Sequence, residues 1–182
     1  MRCLVVADLH YSLPQFDWLL SAAPNFDLVI FAGDALDIGS LVDFRAQIVV
    51  VRKYLELLSG ITKVILCSGN HDLDARSPEG EKISRWNGEV RELGVACDGD
   101  DVVIGDTLFT VCPWWDGPLV KQRLDDQLRA AAAGRPKRWI WVHHAPPADS
   151  PVSWGGKHFF GDVELVQWIK TWQPSMVISG HV

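Results

Sequence analysis

Residues 64–72 read VILCSGNHD, a short apolar run followed by the polar sequence Gly69-Asn70-His71-Asp72. The apolar part contains Val and Ile, a pattern that predicts a strand covered on both faces. The polar part begins where this strand ends, and in open α/β sheets ligands bind beyond the carboxyl ends of the strands. The stretch therefore predicts an α/β fold with a binding site at one edge of its sheet.

Four other apolar runs are predicted to be strands, and each is followed by a polar segment in the same way. Because acids and imidazoles dominate these segments, oxygen and nitrogen ligands would collect along one edge of the sheet. Mixed ligands of this kind suit Mn, Fe or Zn better than they suit a thiolate-bound structural zinc. The runs are residues 4–7, 28–32, 139–142 and 176–178, and the segments after them are Asp8-Leu9-His10, Gly33-Asp34, His143-His144 and Gly180-His181.

Segments with helical spacing lie between the predicted strands. The clearest is predicted to begin at Ser40, with Asp43 three residues on as in a capping box, and to end at Gly60. A hairpin over residues 102–111 marks the entry of a second sheet or an antiparallel region. This alternation predicts an α/β layered domain. Further helices are predicted after Pro14, after Ser77-Pro78, from about Val120 to a point before Gly134, and over residues 162–172.

Composition limits the class of protein. With 182 residues, of which 48% are hydrophobic and 22% charged, the chain suits one domain with a substantial core. The net charge of −6 disfavours a standing attraction to long nucleic acid. The sequence shows neither an apolar leader nor a membrane span, so we expect a cytoplasmic protein without a membrane partner. The four cysteines, at positions 3, 67, 97 and 112, are expected to be buried free thiols.

The polar segments supply the ligand types that a two-cation centre needs. Asp8 and His10 are two residues apart, so in an extended segment both side chains project to the same side. Asp34 carries two oxygens and can bridge two cations. A neutral oxygen is offered by Asn70, and an imidazole nitrogen by either His143 or His144.

A pair of cations predicts phosphoester hydrolysis. Two ions about 3.5–4 Å apart can clamp the attacking and leaving oxygens at phosphorus and lower the pKa of a bridging water. His71 directly follows a ligand, so it is predicted to face the phosphoryl group and donate a hydrogen bond or proton to it. Asp37, three residues after Asp34, is predicted to orient that imidazole.

The motifs Asp-x-His, Gly-Asp-x-x-Asp, Gly-Asn-His-Asp, a later His and Gly-His occur in this order along essentially the whole chain. They resemble the signature of the calcineurin-like metallophosphoesterases. The resemblance implies a four-layer α/β/β/α sandwich with a dinuclear metal site. It also implies that Asp8 and His10 bind the first metal and that Asp34 bridges. The second metal would be bound by Asn70, by His143 or His144, and by His181.

The sequence departs from the family pattern at one position, and it leaves the choice between two histidine ligands undecided. The family motif reads Gly-His-x-His, and this chain stops at Val182, one residue short of the last imidazole. We expect that residues 1–182 are a single domain truncated within this motif; the alternative is a first metal site that lacks one protein ligand. The spacing His-x-Pro favours His144 as the ligand, whereas comparison with His-His-Pro members favours His143.

The predicted function is therefore hydrolysis of a small phosphomonoester or phosphodiester by a metallophosphoesterase. The alternatives are a non-catalytic scaffold of the same fold and a nuclease, which the acidic balance disfavours. Ile38 stands where the protein Ser/Thr phosphatase branch has a phosphate-binding Arg, which argues against that specificity.

Trp114 and Trp115 form either a cleft wall that stacks on a ring or part of the core. The acidic cluster Asp98, Asp100 and Asp101 is expected to be a solvated turn.

Overall fold

A computed structural model describes residues 1–182. Its strands fall into two four-stranded sheets and one two-stranded sheet. In chain order the strands are β1 (Cys3–Val6), β2 (Leu28–Ala32), β3 (Lys63–Cys67), β4 (Ala75–Arg76), β5 (Lys82–Ile83), β6 (Ala96–Cys97), β7 (Asp101–Ile104), β8 (Thr107–Val111), β9 (Arg138–Val142) and β10 (Met176–Ile178). The helices are α1 (Leu13–Ala22), α2 (Phe44–Ser59), α3 (Arg85–Glu89), α4 (Pro118–Ala133) and α5 (Val163–Trp172), and short 3-10 helices cover Ala23–Asn25, Asn70–Asp72, Val90–Leu93 and Pro151–Ser153.

The two large sheets have different pairing. The first has the order β1-β2-β3-β6 and is parallel throughout. The second has the order β10-β9-β8-β7 and is parallel except for β7, which pairs antiparallel with β8. The hairpin predicted over residues 102–111 is confirmed as β7 and β8, and it does belong to a second sheet.

Apolar side chains join four layers. On the outer face of the first sheet, Phe16 of α1 and Leu55 of α2 belong to one buried cluster. Between the sheets, Ile65 of β3 packs in a cluster with Phe109 of β8. On the outer face of the second sheet, Trp141 of β9 packs in a cluster that includes side chains of α4 and α5. The arrangement is helix, sheet, sheet, helix, which confirms the predicted four-layer α/β/β/α sandwich.

Two predicted helix positions are wrong. The helix α2 begins at Phe44 rather than at Ser40, because the Asp43 side chain accepts hydrogen bonds from Arg45 N and Ala46 N and so caps the helix there. The helix predicted after Ser77-Pro78 does not begin there, and α3 starts only at Arg85. The chain forms the β4–β5 hairpin instead, with Gly80 at φ +96° in its turn, a conformation that favours glycine.

The burial of the strands and of the acidic cluster also differs from expectation. β2 is buried along its whole length, but β1 and β10 lie at sheet edges, where Val5 is 43% exposed. The solvated turn predicted for the acidic cluster is wrong for Asp98, whose carboxylate turns inward and accepts a hydrogen bond from Ser68 N at 2.8 Å. Burial raises the pKa of Asp98 to about 7. Asp98 therefore anchors the segment that leads to Gly69 and Asn70.

The cysteine prediction is confirmed for three residues. All four cysteines are free; Cys67, Cys97 and Cys112 are buried, whereas Cys3 is exposed. None of the helices combines the length and the apolar character needed to cross a bilayer.

Candidate metal centre

The chain turns sharply after β1 and after β2, and backbone hydrogen bonds join the two turns. Asp8, His10 and Asp34 have φ values of 56°, 44° and 54°, all in the left-handed region. Asp8 N donates to Gly33 O at 3.1 Å, and His10 N donates to Asp34 O at 3.0 Å. The prediction that Asp8 and His10 lie on the same side assumed an extended segment, and this assumption is wrong. A left-handed turn, tied to the neighbouring strand, brings them together instead.

Asp72 fixes the loops that carry two of the predicted ligands. Its Oδ2 accepts hydrogen bonds from Asp34 N and Gly69 N, both at 2.8 Å, and from Ala35 N at 3.4 Å. Its Oδ1 accepts a hydrogen bond from Leu36 N at 3.0 Å. Burial raises the pKa of Asp72 to about 6, against the effect of its backbone hydrogen bonds. The loop after β2 and the loop after β3 are thereby held by one carboxylate.

Asp34 lies at the middle of the site and is 2% exposed. Its Oδ2 is 3.1 Å from His144 Nε2 and 3.9 Å from His10 Nε2, and its Oδ1 accepts a hydrogen bond from His71 N at 2.8 Å. Burial alone would raise the pKa of Asp34, but the His144 imidazole and the hydrogen bond from His71 N outweigh it and lower the pKa. The carboxylate is therefore ionised at neutral pH.

Two groups of ligand atoms share Asp34. One consists of His10, Asp34 and His71, and the other of Asp34, His144 and His181; within each group the ligand atoms lie within 4.8 Å of one another. Asp8 joins the groups from the side, since its Oδ1 is 4.0 Å from His10 Nε2 and 3.9 Å from His144 Nε2. These side chains are thus brought together around one shared carboxylate. With Asn70, which lines the same depression as Asp8 and Asp34, they form the ligand cluster.

The structure separates the two adjacent histidines. His144 Nδ1 lies 2.7 Å from the carbonyl oxygen of Ala32, so this nitrogen is the donor and Nε2 is left facing Asp34. His143 turns the other way, and its Nε2 lies 3.4 Å from Asp162 Oδ2. His144, and not His143, therefore belongs to the ligand cluster. The second imidazole nitrogen of a metal-binding histidine is commonly held by such a carbonyl.

Unpartnered polar atoms test whether a cation fits here. Asn70 Oδ1 and His144 Nε2 are both buried, and neither makes a hydrogen bond; His144 Nε2 lies 3.1 Å from Asp34 Oδ2, but without hydrogen-bond geometry. An unpaired buried polar atom costs free energy, so such atoms call for a partner, and both of these are ligand types for a transition metal. A Cβ at Gly69 would lie 2.1 Å from Asp34 Oδ1, and one at Gly33 would lie 2.3 Å from His144 Nδ1. Both glycines leave room for the ligands, and the donor set fits a metal ion.

His71 lies beside Asp37 and His10. Its Nδ1 is 3.3 Å from Asp37 Oδ1, and its ring contacts the ring of His10 edge to face with centroids 4.5 Å apart. Asp37 is therefore within reach of the imidazole that it was predicted to orient. The structure also includes His71 in the first ligand group, which was not expected from the sequence.

His181 and the two tryptophans complete the surroundings. His181 N donates to both carboxylate oxygens of Asp8, at 3.0 and 3.2 Å, and burial lowers the pKa of its imidazole. The Trp114 ring lies 5.2 Å from the His181 ring and 5.6 Å from the His144 ring. Trp115 packs against the core beneath α4 and α5, and it also borders a cavity beside the site. Trp114 thus forms a wall of the site. Trp115 contributes to the wall of the neighbouring cavity and also packs against the hydrophobic core.

The chain belongs to the calcineurin-like phosphoesterase family, whose model matches residues 1–182. This confirms the family suggested by the motifs and makes the protein a metallophosphoesterase by class. No protein of curated function matches the sequence.

Solved structures share the fold. One crystal structure superposes with a TM-score of 0.71 at 14% identity, over 100% of this chain and 84% of that chain. The crystal structure of TT1561 of Thermus thermophilus gives 0.68 at 14% identity, over 98% and 80% of the two chains. YfcE, a phosphoesterase from E. coli, gives 0.38 at 18% identity over 62% and 57%, which is too low to support an inference.

Proposed function

We propose that this protein hydrolyses a small phosphomonoester or phosphodiester with the help of two transition-metal ions. The observation that carries the proposal is the pair of buried, unpartnered ligand atoms, Asn70 Oδ1 and His144 Nε2, beside the ionised Asp34. Asp34 would contact both ions. Asp8 and His10 would lie on one side of it, and Asn70, His144 and His181 on the other.

The remaining chemistry is divided between the ions and the protein. Bound divalent ions supply positive charge at phosphorus and lower the pKa of water. His71 is half-buried beside Asp37, so it can donate a hydrogen bond or a proton to a substrate oxygen from a fixed direction. The net charge of −6 favours a small substrate held by the ions over a long nucleic acid.

Removal and return of metal tests the proposal. Protein dialysed against a chelator should lose hydrolysis of p-nitrophenyl phosphate and bis(p-nitrophenyl) phosphate. Activity should return with Mn²⁺, Fe²⁺ or Zn²⁺, at about two ions per chain by mass spectrometry. Ca²⁺ serves as the control, because it prefers oxygen ligands and the site offers several imidazoles. Equal turnover by chelated and reloaded protein would contradict the proposal.

Asp37→Asn tests the orienting role of the Asp37 carboxylate. The variant is expected to lower kcat about tenfold with little change in KM, because a lost partner of a site imidazole typically costs about 10–100-fold. The loop should keep its shape, since an Asn oxygen can still accept the hydrogen bond that Gly39 N donates to Asp37 Oδ1 at 2.8 Å.

A double substitution tests whether Asp37 acts through the His71 imidazole. When His71 is already replaced by Asn, adding Asp37→Asn should change kcat by less than about twofold, because residues that act as one unit have non-additive effects. Asp43→Asn is the matched control, since Asn caps helices as well as Asp does and the residue is exposed. An unchanged kcat in Asp37→Asn, or an equal loss of kcat with and without the His71 imidazole, would remove the orienting role.

A further inference from the structure

An aromatic cavity of about 390 Å³ opens beside the ligand cluster. Trp114, Phe159 and Phe160 line it, together with His181. Phe160 and His181 also line the depression that contains Asp8, Asp34 and Asn70. The two spaces therefore share a wall, and a molecule whose phosphate lies at the ligand cluster can extend into the cavity.

The walls of this cavity are ring surfaces at stacking distances from the site. The Phe160 ring lies 6.5 Å from the His181 ring and perpendicular to it, and the Trp114 ring lies 5.2 Å from the His181 ring. Phe159 and Phe160 are 54% and 46% exposed. Exposed aromatic side chains that converge on one concave surface mark a binding site more often than single exposed ones do.

The segment that carries the two phenylalanines is held by its own contacts. Phe160 N donates to Ser153 O at 2.8 Å, and Gly155 N donates to His158 O at 2.9 Å. The Trp154 and Phe159 rings pack together with centroids 4.9 Å apart. A Cβ at Gly155 would lie 2.5 Å from the Phe160 ring, so glycine lets this ring approach the backbone closely. The cavity is thereby formed before any ligand arrives.

Most polar groups at the base of the cavity are engaged with one another, although His143 Nδ1 is buried and has no hydrogen-bond partner. Asp162 Oδ2 accepts a hydrogen bond from Trp115 Nε1 at 3.1 Å and lies 3.4 Å from His143 Nε2. Asp162 Oδ1 caps α5 by accepting from Glu164 N at 2.7 Å. The lining contains no Lys or Arg, so the cavity has no cationic partner for a second phosphate. It suits an uncharged planar group.

We propose that this cavity binds an aromatic ring in the organic part of the substrate, so that the substrates are aryl or nucleoside phosphoesters. The inference rests on the proposed phosphoesterase function and names the substrate class for that site. Stacking on Trp114, Phe159 and Phe160 supplies the recognition. It tolerates different rings because every aromatic ring has a face to stack.

Binding of phosphate-free probes tests the cavity apart from hydrolysis. Metal-loaded protein is titrated by calorimetry with 1-naphthol, with adenosine and with glycerol. Either ring compound should bind at least about tenfold more tightly than glycerol, and Phe159→Ala should weaken that binding about tenfold. Phe159→Tyr keeps the ring and should bind as the original protein does. Trp18→Ala removes a tryptophan that is 55% exposed and lies outside the cavity, and it should change nothing.

The outcomes separate this inference from the proposed function. Binding of adenosine alone indicates nucleoside esters, and binding of 1-naphthol alone indicates aryl esters; either supports a ring site. Ring compounds that bind no better than glycerol, or equally well to Phe159→Ala, would overturn it even if hydrolysis is present. Ring binding without hydrolysis of any ester would overturn the phosphoesterase proposal instead. As a kinetic check, Phe159→Ala should reduce the preference for 1-naphthyl phosphate over glycerol 3-phosphate about tenfold.

Discussion

Asp34→Asn is expected to lower kcat/KM for p-nitrophenyl phosphate by about a thousandfold or more, because metal-ion stabilisation of a phosphoryl transition state is worth several kcal/mol. Asp34 is the carboxylate shared by both ligand groups, and it is ionised and buried. An Asn keeps the shape and one oxygen but loses the negative charge and the second anionic oxygen. Its oxygen can still accept the hydrogen bond from His71 N, so the fold should survive.

The measurement for Asp34→Asn pairs steady-state kinetics with metal analysis. Bound metal should fall below two ions per chain as activity falls. Asp126→Asn is the control, since Asp126 is exposed on α4 and pairs only with Arg129 and Gln122 at the surface. If Asp34→Asn keeps kcat/KM within about tenfold while its metal content is unchanged, the shared-carboxylate site is wrong.

Asp72→Ala is expected to lower the free energy of unfolding by about 3–5 kcal/mol, because each unsatisfied buried donor costs about 1–3 kcal/mol. The substitution removes the acceptor of hydrogen bonds from Asp34 N, Leu36 N and Gly69 N, and of a longer one from Ala35 N. The loops after β2 and β3 would lose their common anchor. Urea unfolding at pH 8 in the presence of a chelator measures the loss without a contribution from metal binding.

Asp72→Asn separates charge from hydrogen bonding in the same assay. Asn keeps one acceptor oxygen, so its loss should be smaller than that of the Ala variant. Burial raises the pKa of Asp72 from 3.8 to about 6, so the native state favours the protonated carboxyl. The resulting stability is fully present below pH 3.8 and is lost as the pH rises through 6. The deficit of Asp72→Asn should therefore shrink between about pH 4 and pH 8; a deficit that grows over this range would contradict the raised pKa.

The five strands that carry the candidate site residues were predictable from local sequence, and so was the sheet edge at which those residues lie. The bounds of β2 and β10 match the predicted runs because continuous apolar residues of this length are either buried strands or short helices, and polar residues end each run. The polar segments fall at the carboxyl ends of parallel strands, and the parallel pairing of β1, β2 and β3 places those ends side by side. Local pattern and chain topology therefore agree at this edge.

Features that depend on contacts between distant residues could not be predicted. The choice between His143 and His144 is made by the carbonyl of Ala32, 112 residues away from His144 along the chain. Asp72 belongs to the Gly-Asn-His-Asp motif, but its hydrogen bonds reach backbone amides 36 to 38 residues away along the chain. Nothing in the local sequence pointed to Phe159 as a cavity wall. The Ser77-Pro78 error has a different origin, since Ser-Pro is equally suited to starting a helix and to starting a turn.

The ligand cluster is divided between the two sheets. Asp8, Asp34 and Asn70 follow strands of the first sheet, and His144 and His181 follow strands of the second. His181 N and the Asp8 carboxylate, which are hydrogen-bonded, are separated by 173 positions in the chain. An ion bound in this cluster would link the two sheets of the sandwich, because neither sheet alone supplies all of the donor atoms. Metal binding would consequently also raise the resistance of the protein to unfolding, since whatever binds only the native state stabilises it.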